Sequence, residues 1–224
     1  MAQPWTILDR VETSAGVLEL RRRGVDDVLL TVAGRVLMNS RANRSEIALA
    51  QLTCTNRAPG AAVLVGGLGL GYTLRAALDL LPADARVVLA EIDPAIVHWC
   101  RTHVADLNRN ALDDPRLELH VEDVACTLGR GAGGGRDGRF DAILFDLSEG
   151  PSTKSRQADH PLYGPSMLRT VRAALRPGGV FAVWSEQPCP PFETRLRRAG
   201  YRVELTRPGR GALRHAVYLA HPAA

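Results

Sequence analysis

The stretch that decides the fold is VLVGGLGLGYTLRAAL, residues 63–78. Its apolar beginning predicts a buried strand, and its end has the apolar spacing of an amphipathic helix. Between them stand Gly67, Gly69 and Gly71. Backbone amides at the start of such a helix can approach a ligand that a side chain would exclude, so the turn predicts a nucleotide-type site. A tight strand-to-helix turn without a ligand is the alternative interpretation.

From residue 61 onward, apolar strands alternate with helical segments, which is the pattern of a parallel sheet covered on both faces. Two further strands beside a Pro-Gly turn predict a closing antiparallel hairpin. The predicted strands are 61–66, 86–91, 117–122, 140–146, 179–185, 201–207 and 213–220, and the predicted helices are 72–81, 94–104, 123–129, 164–175 and 191–199. The fold class predicted is therefore α/β, a Rossmann-like methyltransferase fold with a mostly parallel seven-stranded sheet.

The chain before residue 61 has a different pattern of polar and apolar residues. Short β-rich runs at 17–23, 27–34 and 35–40 predict a small antiparallel sheet. A helical pattern over 44–57, with Ser45 as its cap, links this sheet to the rest. We therefore expect a small N-terminal β-segment with its linking helix at 1–58 and a catalytic domain at 59–224. The glycine-rich run 129–139 is expected to be a surface connection without regular structure.

Composition excludes several classes of protein. The 224 residues are 46% hydrophobic, enough for a full core, and the net charge is +4. Arginines between residues 195 and 214 are accompanied by Glu193 and Glu204 and by few aromatic residues, so they predict a solvated face and no nucleic-acid site. The four separated cysteines predict no zinc site, and no apolar run approaches the roughly 20 residues of a membrane span. We expect a cytoplasmic protein with no membrane partner.

Two acids follow the next strands. Glu91 ends the second strand of the main sheet about 20 residues after the last glycine, where a carboxylate can accept both ribose hydroxyl protons. Asp123 follows the third strand, where it can accept a hydrogen bond from an adenine amino group; capping a helix is the alternative, and both roles can coexist. The G-x-G-x-G spacing lacks the ending that suits a pyrophosphate, which favours an adenosyl-sulfonium cofactor over a dinucleotide.

The order of the motifs is more specific than any one of them. Besides the glycine turn, they are AEIDPAIV at 90–97, VEDVACTL at 121–128, FDAILFDLSEGPS at 140–152 and PLYGPSMLRTVRAALRPGGVFAVWS at 161–185. Over roughly residues 35–185 this order resembles spermidine synthase and the wider polyamine aminopropyltransferase family. The resemblance implies an N-terminal β-domain before a methyltransferase-like Rossmann domain, decarboxylated S-adenosylmethionine as the cofactor, a small-molecule acceptor and a homodimer.

The resemblance also implies roles for individual residues. Glu91 holds the ribose and Asp123, with Val124 beside it, the adenine. Asp146, at the carboxyl end of the fourth strand, is the catalytic acid that orients and deprotonates an amine, with Glu149 as a second acid. A strand-end turn is the alternative role for Asp146.

A second group of residues is predicted to contact the substrate. Among the family's polyamine-binding residues only Glu46 has a counterpart here. His160 and Tyr163 are further candidates, because the polar segment 148–164 follows the proposed catalytic acid. That segment is predicted to be either a lid that closes over the substrate or an ordinary loop.

One departure from the family affects the choice of reaction. The family's glycine motif carries an aspartate that faces the aminopropyl ammonium, and it aligns with Leu70, or with Gly69 when counted forward. An aspartate there would repel the carboxylate of intact S-adenosylmethionine, so Leu70 favours the intact cofactor. Methyl transfer to a small molecule is therefore the leading hypothesis. The alternatives are aminopropyl transfer to a polyamine such as putrescine and a non-catalytic nucleotide-binding protein.

Overall fold

The first forty residues form an antiparallel sheet of four strands. The computed structural model describes residues 3–133, 138–148, 150–151, 160–208 and 215–223. The four strands, which pair in chain order, are β1 (Thr6–Thr13), β2 (Gly16–Arg23), β3 (Asp27–Val32) and β4 (Arg35–Asn39). Strand β1 is absent from the sequence prediction because it is a largely exposed edge strand without regular alternation of polar and apolar residues.

The rest of the chain forms a seven-stranded sheet with helices on both faces. The strands stand in the order β10-β11-β9-β8-β5-β6-β7; β5 to β9 are parallel, and the last hairpin is antiparallel. The elements are α1 (Arg44–Cys54), β5 (Ala62–Gly66), α2 (Tyr72–Leu80), β6 (Arg86–Glu91), α3 (Pro94–Thr102), a 3₁₀ turn (Ala111–Asp113), β7 (Leu117–Val121), α4 (Val124–Gly133), β8 (Phe140–Phe145), α5 (Pro165–Ala174), β9 (Leu175–Ser185), α6 (Pro190–Arg198), β10 (Tyr201–Thr206) and β11 (Ala216–Pro222). The predicted fold class is confirmed.

Two glycine-containing segments differ from their predicted structure. Helix α4 continues to Gly133, inside the run expected to be irregular. A Cβ on Gly131 would lie 2.9 Å from the carbonyl oxygen of Gly138, so glycine permits this close approach. The Arg-Pro-Gly-Gly run after α5, predicted to separate a helix from a strand, forms an irregularity within β9. Leu175 pairs with Phe140 before it, and the register shifts after it.

The central strands are buried on both faces, as a parallel sheet covered by helices requires. All five residues of β5 are buried. Val63 and Val65 belong to the core on one face, and Leu64 belongs to the core on the other. Within the described ranges, no helix is both long and apolar enough to cross a bilayer.

The four-stranded sheet covers the glycine turn. The backbone N–H of Leu70 donates to Sδ of Met38 in β4 at 3.1 Å, and the Tyr72 hydroxyl donates to the Ser40 carbonyl oxygen at 3.2 Å. Strand β1 is tied to α3 by a 2.7 Å hydrogen bond from Trp99 Nε1 to Asp9. Because helix α1 packs against α2, it contacts the main sheet's helical layer as well as linking the two sheets. The boundary between residues 58 and 59 stays a prediction.

Candidate active site

A cavity of about 400 Å³ lies between the carboxyl ends of the parallel strands and the N-terminal sheet. This volume is in the range of small-molecule sites, which are roughly 300–1,000 Å³. Charged and polar side chains on its wall include Glu46, Glu91, Asp93, Glu122, Asp123, Asp146, Ser148 and His160, and apolar ones include Leu18, Leu30, Val32, Leu37, Met38, Ile92, Ile96, Val124, Leu147, Leu162 and Trp184. A larger depression, about 590 Å³, lies beside the Asp141–Arg176 ion pair and includes none of the predicted site residues.

The glycine turn forms one wall of the cavity. Gly67, Gly69 and Gly71 have positive φ angles of 91°, 53° and 86°. A Cβ on Gly67 would lie 2.3 Å from the carbonyl oxygen of Asp146, and a Cβ on Gly69 would lie 2.8 Å from Met38 Sδ. Gly67 and Gly69 line the cavity, whereas Gly71 caps α2 and faces Asn108. The predicted absence of side chains at the turn therefore has a steric cause at each position.

The position of Leu70 differs from the expectation that its side chain replaces an acid facing the cofactor. Leu70 is 1% exposed, belongs to the core that also contains Leu74, and does not line the cavity. The turn between two glycines of positive φ directs this side chain inward. The leucine therefore provides no contact that would select between intact and decarboxylated cofactor.

We expect Leu70→Ala to lower the free energy of unfolding by about 2–5 kcal/mol, as other buried leucine truncations do. The ratio of affinities for the two cofactors should not change, because the side chain lies in the core. Denaturant unfolding and calorimetry measure the two quantities. Ile92→Ala is the matched control, since Ile92 is 67% exposed and lines the cavity. A changed cofactor ratio in Leu70→Ala would contradict the inward placement.

Glu91 is fixed at the end of β6 by the backbone. It is 5% exposed; its Oε2 accepts from the Leu68 N–H at 2.7 Å and its Oε1 from the Asp93 N–H at 2.9 Å. Burial raises the pKa of this carboxyl, and the two backbone hydrogen bonds oppose the shift. Each carboxylate oxygen has a second lone pair, so Glu91 can accept hydroxyl protons from a ligand beside the glycine turn. The geometry fits the ribose of an adenosyl group.

Asp123 lies where both of the roles considered for it are sterically open. Its Oδ1 accepts from the Ala125 N–H at 2.8 Å, a contact typical of a helix cap, and the exposed residue also lines the cavity. Val124 follows it, is 4% exposed and contributes an apolar surface to the same wall. A Cβ on Gly66 would lie 2.9 Å from Val124, so strand β5 and helix α4 meet closely here. The role of Asp123 toward adenine stays a prediction.

Glu46 and Asp146 form an acid pair on the wall of the cavity, in which Glu46 is 5% exposed and Asp146 is half-buried. Asp146 follows β8, and its Oδ2 accepts from the Thr73 hydroxyl at 2.5 Å. The same hydroxyl lies 3.3 Å from the backbone carbonyl oxygen of Glu46 in α1. Burial, with the charge of Glu46 next, raises the pKa of Asp146 to about 7. Burial also raises the pKa of Glu46, against a hydrogen bond from Ser45. The structure therefore joins the predicted catalytic acid to the predicted substrate residue.

The acid pair should affect stability in a defined pH window. Because the folded pKa of Asp146 is raised, the folded chain holds more protons than the unfolded chain between about pH 4 and pH 7. Its contribution to the free energy of unfolding therefore falls as pH rises through that window. We expect Asp146→Asn to raise the melting temperature relative to wild type at pH 8 and to have less effect at pH 5. An equal shift at both pH values would contradict the raised pKa.

The remaining predicted site residues differ in how closely the structure places them to the cavity. His160 lines the cavity, with its ring centroid 5.2 Å from that of Tyr163. Tyr163 is 1% exposed and makes edge contacts with Phe145 and Phe192. It is therefore a core residue that also lines part of the cavity wall. Glu149 lies outside the described residues, as do 152–159 of the segment predicted to be a lid. Their predicted roles stay predictions.

Several lining residues are missing from the sequence prediction. Ile92 is an exposed apolar residue directly after Glu91, the acid that ends a strand. This position next to a predicted ligand-binding acid is visible in the sequence and could have identified Ile92 as a lining residue. Trp184 near the end of β9 packs against the core and also lines the cavity. Met38 and Leu37 reach the cavity only because β4 packs over the glycine turn. No local sequence pattern indicates that packing.

The fold and this cavity define the class: a Rossmann-like α/β protein of the methyltransferase type, with a ligand cavity at the carboxyl ends of its parallel strands. Residues 47–194 match the spermine/spermidine synthase domain family. The chain therefore belongs to that family.

Curated relatives agree with this assignment. Over 138 residues the chain is 38% identical to the polyamine aminopropyltransferase of Nitrosomonas europaea, covering 60% of this chain and 38% of that protein. Over 198 residues it is 33% identical to the polyamine aminopropyltransferase of Mycobacterium tuberculosis, covering 81% of this chain and 34% of that protein. The chain thus spans little more than a third of the length of these relatives.

Solved structures share the fold. Spermidine synthase from Thermotoga maritima superposes with a TM-score of 0.74 at 18% identity, covering 96% of this chain and 72% of that one. Human methyltransferase-like protein 13 in complex with SAH gives a TM-score of 0.55 at 21% identity, covering 82% of this chain and 81% of that one. These similarities establish the architecture that the two enzymes have in common with this chain.

Proposed function

We propose that this protein transfers an aminopropyl group from decarboxylated S-adenosylmethionine to a primary amine of the polyamine class, such as putrescine. The observation that carries the proposal is the pair of acids, Glu46 and Asp146, that line one cavity. Two carboxyls inside one cavity favour a cationic ligand, because an ammonium offsets their mutual repulsion. In the ranges that the structure describes, no arginine forms an ion pair with either acid.

The cavity also suits the uncharged parts of both reactants. The glycine turn exposes backbone near Glu91, which fits an adenosyl group held through its ribose. On the opposite side, Leu30, Val32 and Leu37 from the N-terminal sheet form an apolar wall. A short methylene chain can pack against this wall while its amine reaches the acid pair.

The residues then have distinct tasks in the reaction. When bound, the sulfonium supplies an activated carbon and a neutral thioether leaving group. Asp146, with Glu46, holds the amine and accepts the proton that it must lose to become a nucleophile. The Thr73 hydroxyl orients the Asp146 carboxylate through its 2.5 Å hydrogen bond. Alignment of the reactants in the cavity supplies much of the rate, because no covalent enzyme intermediate is needed.

We favour aminopropyl transfer over methyl transfer, which is the leading hypothesis from the sequence alone. The methyl-transfer hypothesis took Leu70 as the replacement for the family's acid, and the Leu70 side chain packs in the core; the other alignment places Gly69 there, which lines the cavity. The curated relatives are polyamine aminopropyltransferases, which also supports the alternative reaction.

Product analysis distinguishes the candidate functions. The purified chain is incubated with putrescine and either decarboxylated or intact S-adenosylmethionine, and products are identified by mass spectrometry. We expect methylthioadenosine and an aminopropylated amine from the decarboxylated cofactor only. Formation of S-adenosylhomocysteine from the intact cofactor would instead support methyl transfer. Cofactor binding, seen as a thermal shift, without turnover of any amine would indicate a non-catalytic protein.

A further inference from the structure

A chain of hydrogen bonds connects the acid pair to a histidine at the C-terminal hairpin. The Ser45 hydroxyl lies 2.7 Å from Glu46 Oε2 and 2.8 Å from His215 Nδ1. Ser45 was predicted to cap α1, but the cap residue is Asn43 and Ser45 lies within the helix. Its hydroxyl is therefore available to join two ionisable groups that are 169 residues apart in the chain, counting from Glu46 to His215.

The chain runs from the buried interior toward the surface. Ser45 and Glu46 are each 5% exposed, whereas His215 is partly exposed. The imidazole makes an edge contact with Trp184 of β9, with ring centroids 4.9 Å apart. This contact restrains the ring plane, so that Nδ1 points to Ser45. Glu46 and Ser45 of α1 and His215, the residue before β11, thus form one continuous path, and Trp184 of β9 supports its outer end.

The serine can pass a proton because its hydroxyl donates one hydrogen bond while accepting another. When Glu46 is ionised, Ser45 donates to the carboxylate and accepts from the Nδ1–H of His215. When Glu46 holds a proton, both directions reverse, and Ser45 donates to an unprotonated Nδ1. The same three heavy atoms therefore accommodate both states without moving.

We propose that His215, acting through Ser45, carries away the proton that the substrate amine delivers to the Glu46–Asp146 pair. This inference rests on the proposed aminopropyl transfer. The proton on Glu46 moves to Ser45 Oγ as the hydroxyl proton of Ser45 moves to His215 Nδ1. The resulting imidazolium releases its Nε2 proton to water, which leaves an ionised Glu46 and a neutral ring in the Nδ1–H form. Before the next transfer the ring returns to the Nε2–H form by exchanging protons with water, because only an unprotonated Nδ1 accepts from Ser45. His215 touches neither reactant, so it is a positioning residue that acts on the acid pair.

A proton path has a specific use in this cavity. Each aminopropyl transfer releases one proton, and the pair must be ionised again before the next amine is deprotonated. While product fills the cavity, water reaches the acids poorly from that side. A path through Ser45 leaves the cavity by another route, between α1 and the C-terminal hairpin.

Removing the imidazole tests the path. We expect His215→Ala to lower kcat about tenfold, which is less than the hundredfold loss typical of a lost general base. The loss is smaller because a water molecule can still accept the proton from Ser45, although more slowly than the imidazole. KM for the amine and affinity for the cofactor should stay near wild type. Added imidazole should restore kcat, whereas pyrazole, which has a similar shape but is weakly basic, should not. His221→Ala, which removes a partly buried histidine from the far end of β11, the strand that follows His215, is the matched control.

Equal rescue by pyrazole and imidazole would show that the ring only fills space and would overturn the proposal, as would an unchanged kcat. Ser45→Ala should reduce kcat as much as His215→Ala, and the double variant should lose no more than either single variant, since all three interrupt one path. Additive losses would contradict a shared path.

A measurement without turnover tests the same network. At fixed pH, the ¹⁵N shifts of His215 should report the Nδ1–H form in wild type and move toward the Nε2–H form in Glu46→Gln, which removes the carboxylate charge. Identical shifts would overturn the path. If wild type forms no methylthioadenosine, the proposed function itself fails, and this relay fails with it. Wild-type turnover with a fully active His215→Ala would overturn the relay alone.

Discussion

Asp146→Asn should lower kcat by about a hundredfold or more, the scale expected when a general base is lost. Asparagine has nearly the shape of aspartate and can still accept the Thr73 hydrogen bond, so the cavity should keep its form. It cannot accept the proton of the amine. Affinity for the adenosyl cofactor should remain close to wild type, because the substitution leaves Glu91 and the backbone of the glycine turn unchanged.

The pH profile adds a second readout. Because the pKa of Asp146 is raised to about 7, wild-type kcat/KM should increase as the acid ionises through neutral pH, and Asp146→Asn should lose that rise. Asp141→Asn serves as the control on the same strand, since Asp141 pairs with Arg176 at the opposite end of β8. An Asp146→Asn variant with wild-type kcat would remove this residue from the mechanism.

Gly67→Ala should reduce cofactor affinity or turnover by about a hundredfold, the scale known for small misplacements of reacting groups. The new Cβ would stand 2.3 Å from the Asp146 carbonyl oxygen, which no side-chain rotation can relieve. Either the glycine turn or the backbone of the catalytic acid must move. Calorimetry with the cofactor and steady-state kinetics measure the two consequences.

A matched variant separates this contact from the cost of a positive φ angle. Gly60 has a φ of +70°, and an added Cβ there meets no atom within 4 Å. Gly60→Ala should therefore lower stability by about 1–2 kcal/mol through backbone strain alone and leave cofactor affinity unchanged. If the two variants bind cofactor equally well, the contact between Gly67 and Asp146 does not shape the site.

Much of the site follows from where the strands end. Gly67, Glu91 and Asp146 each follow a strand whose apolar run is readable, and parallel strands bring their carboxyl ends to one edge. This explains why the sequence can predict that they line a common cavity. The burial of β5 and the terminal hairpin follow from equally strong local patterns.

The parts that the sequence does not predict depend on contacts distant in the chain. His215 meets Ser45 across 170 residues, and neither position carries a local signal for the other. Leu70 shows a different limit: alignment identifies the residue that replaces an acid, but only the turn's φ angles determine that its side chain faces the core. Helix α4 continues through glycines because packing beside Phe140 outweighs their entropic cost.

The covering of the glycine turn by Met38 has a consequence for how the protein can be altered. The parallel sheet contributes the wall that fits the adenosyl group, while the apolar wall on the far side of the cavity comes from the first forty residues. Under the proposed function, exchange of side chains on this four-stranded sheet should change the preference for the acceptor and leave the wall beside the glycine turn intact. An engineer seeking new amines would randomise the partly buried Val32 and Leu37 before Leu30, which is 2% exposed and belongs to the core.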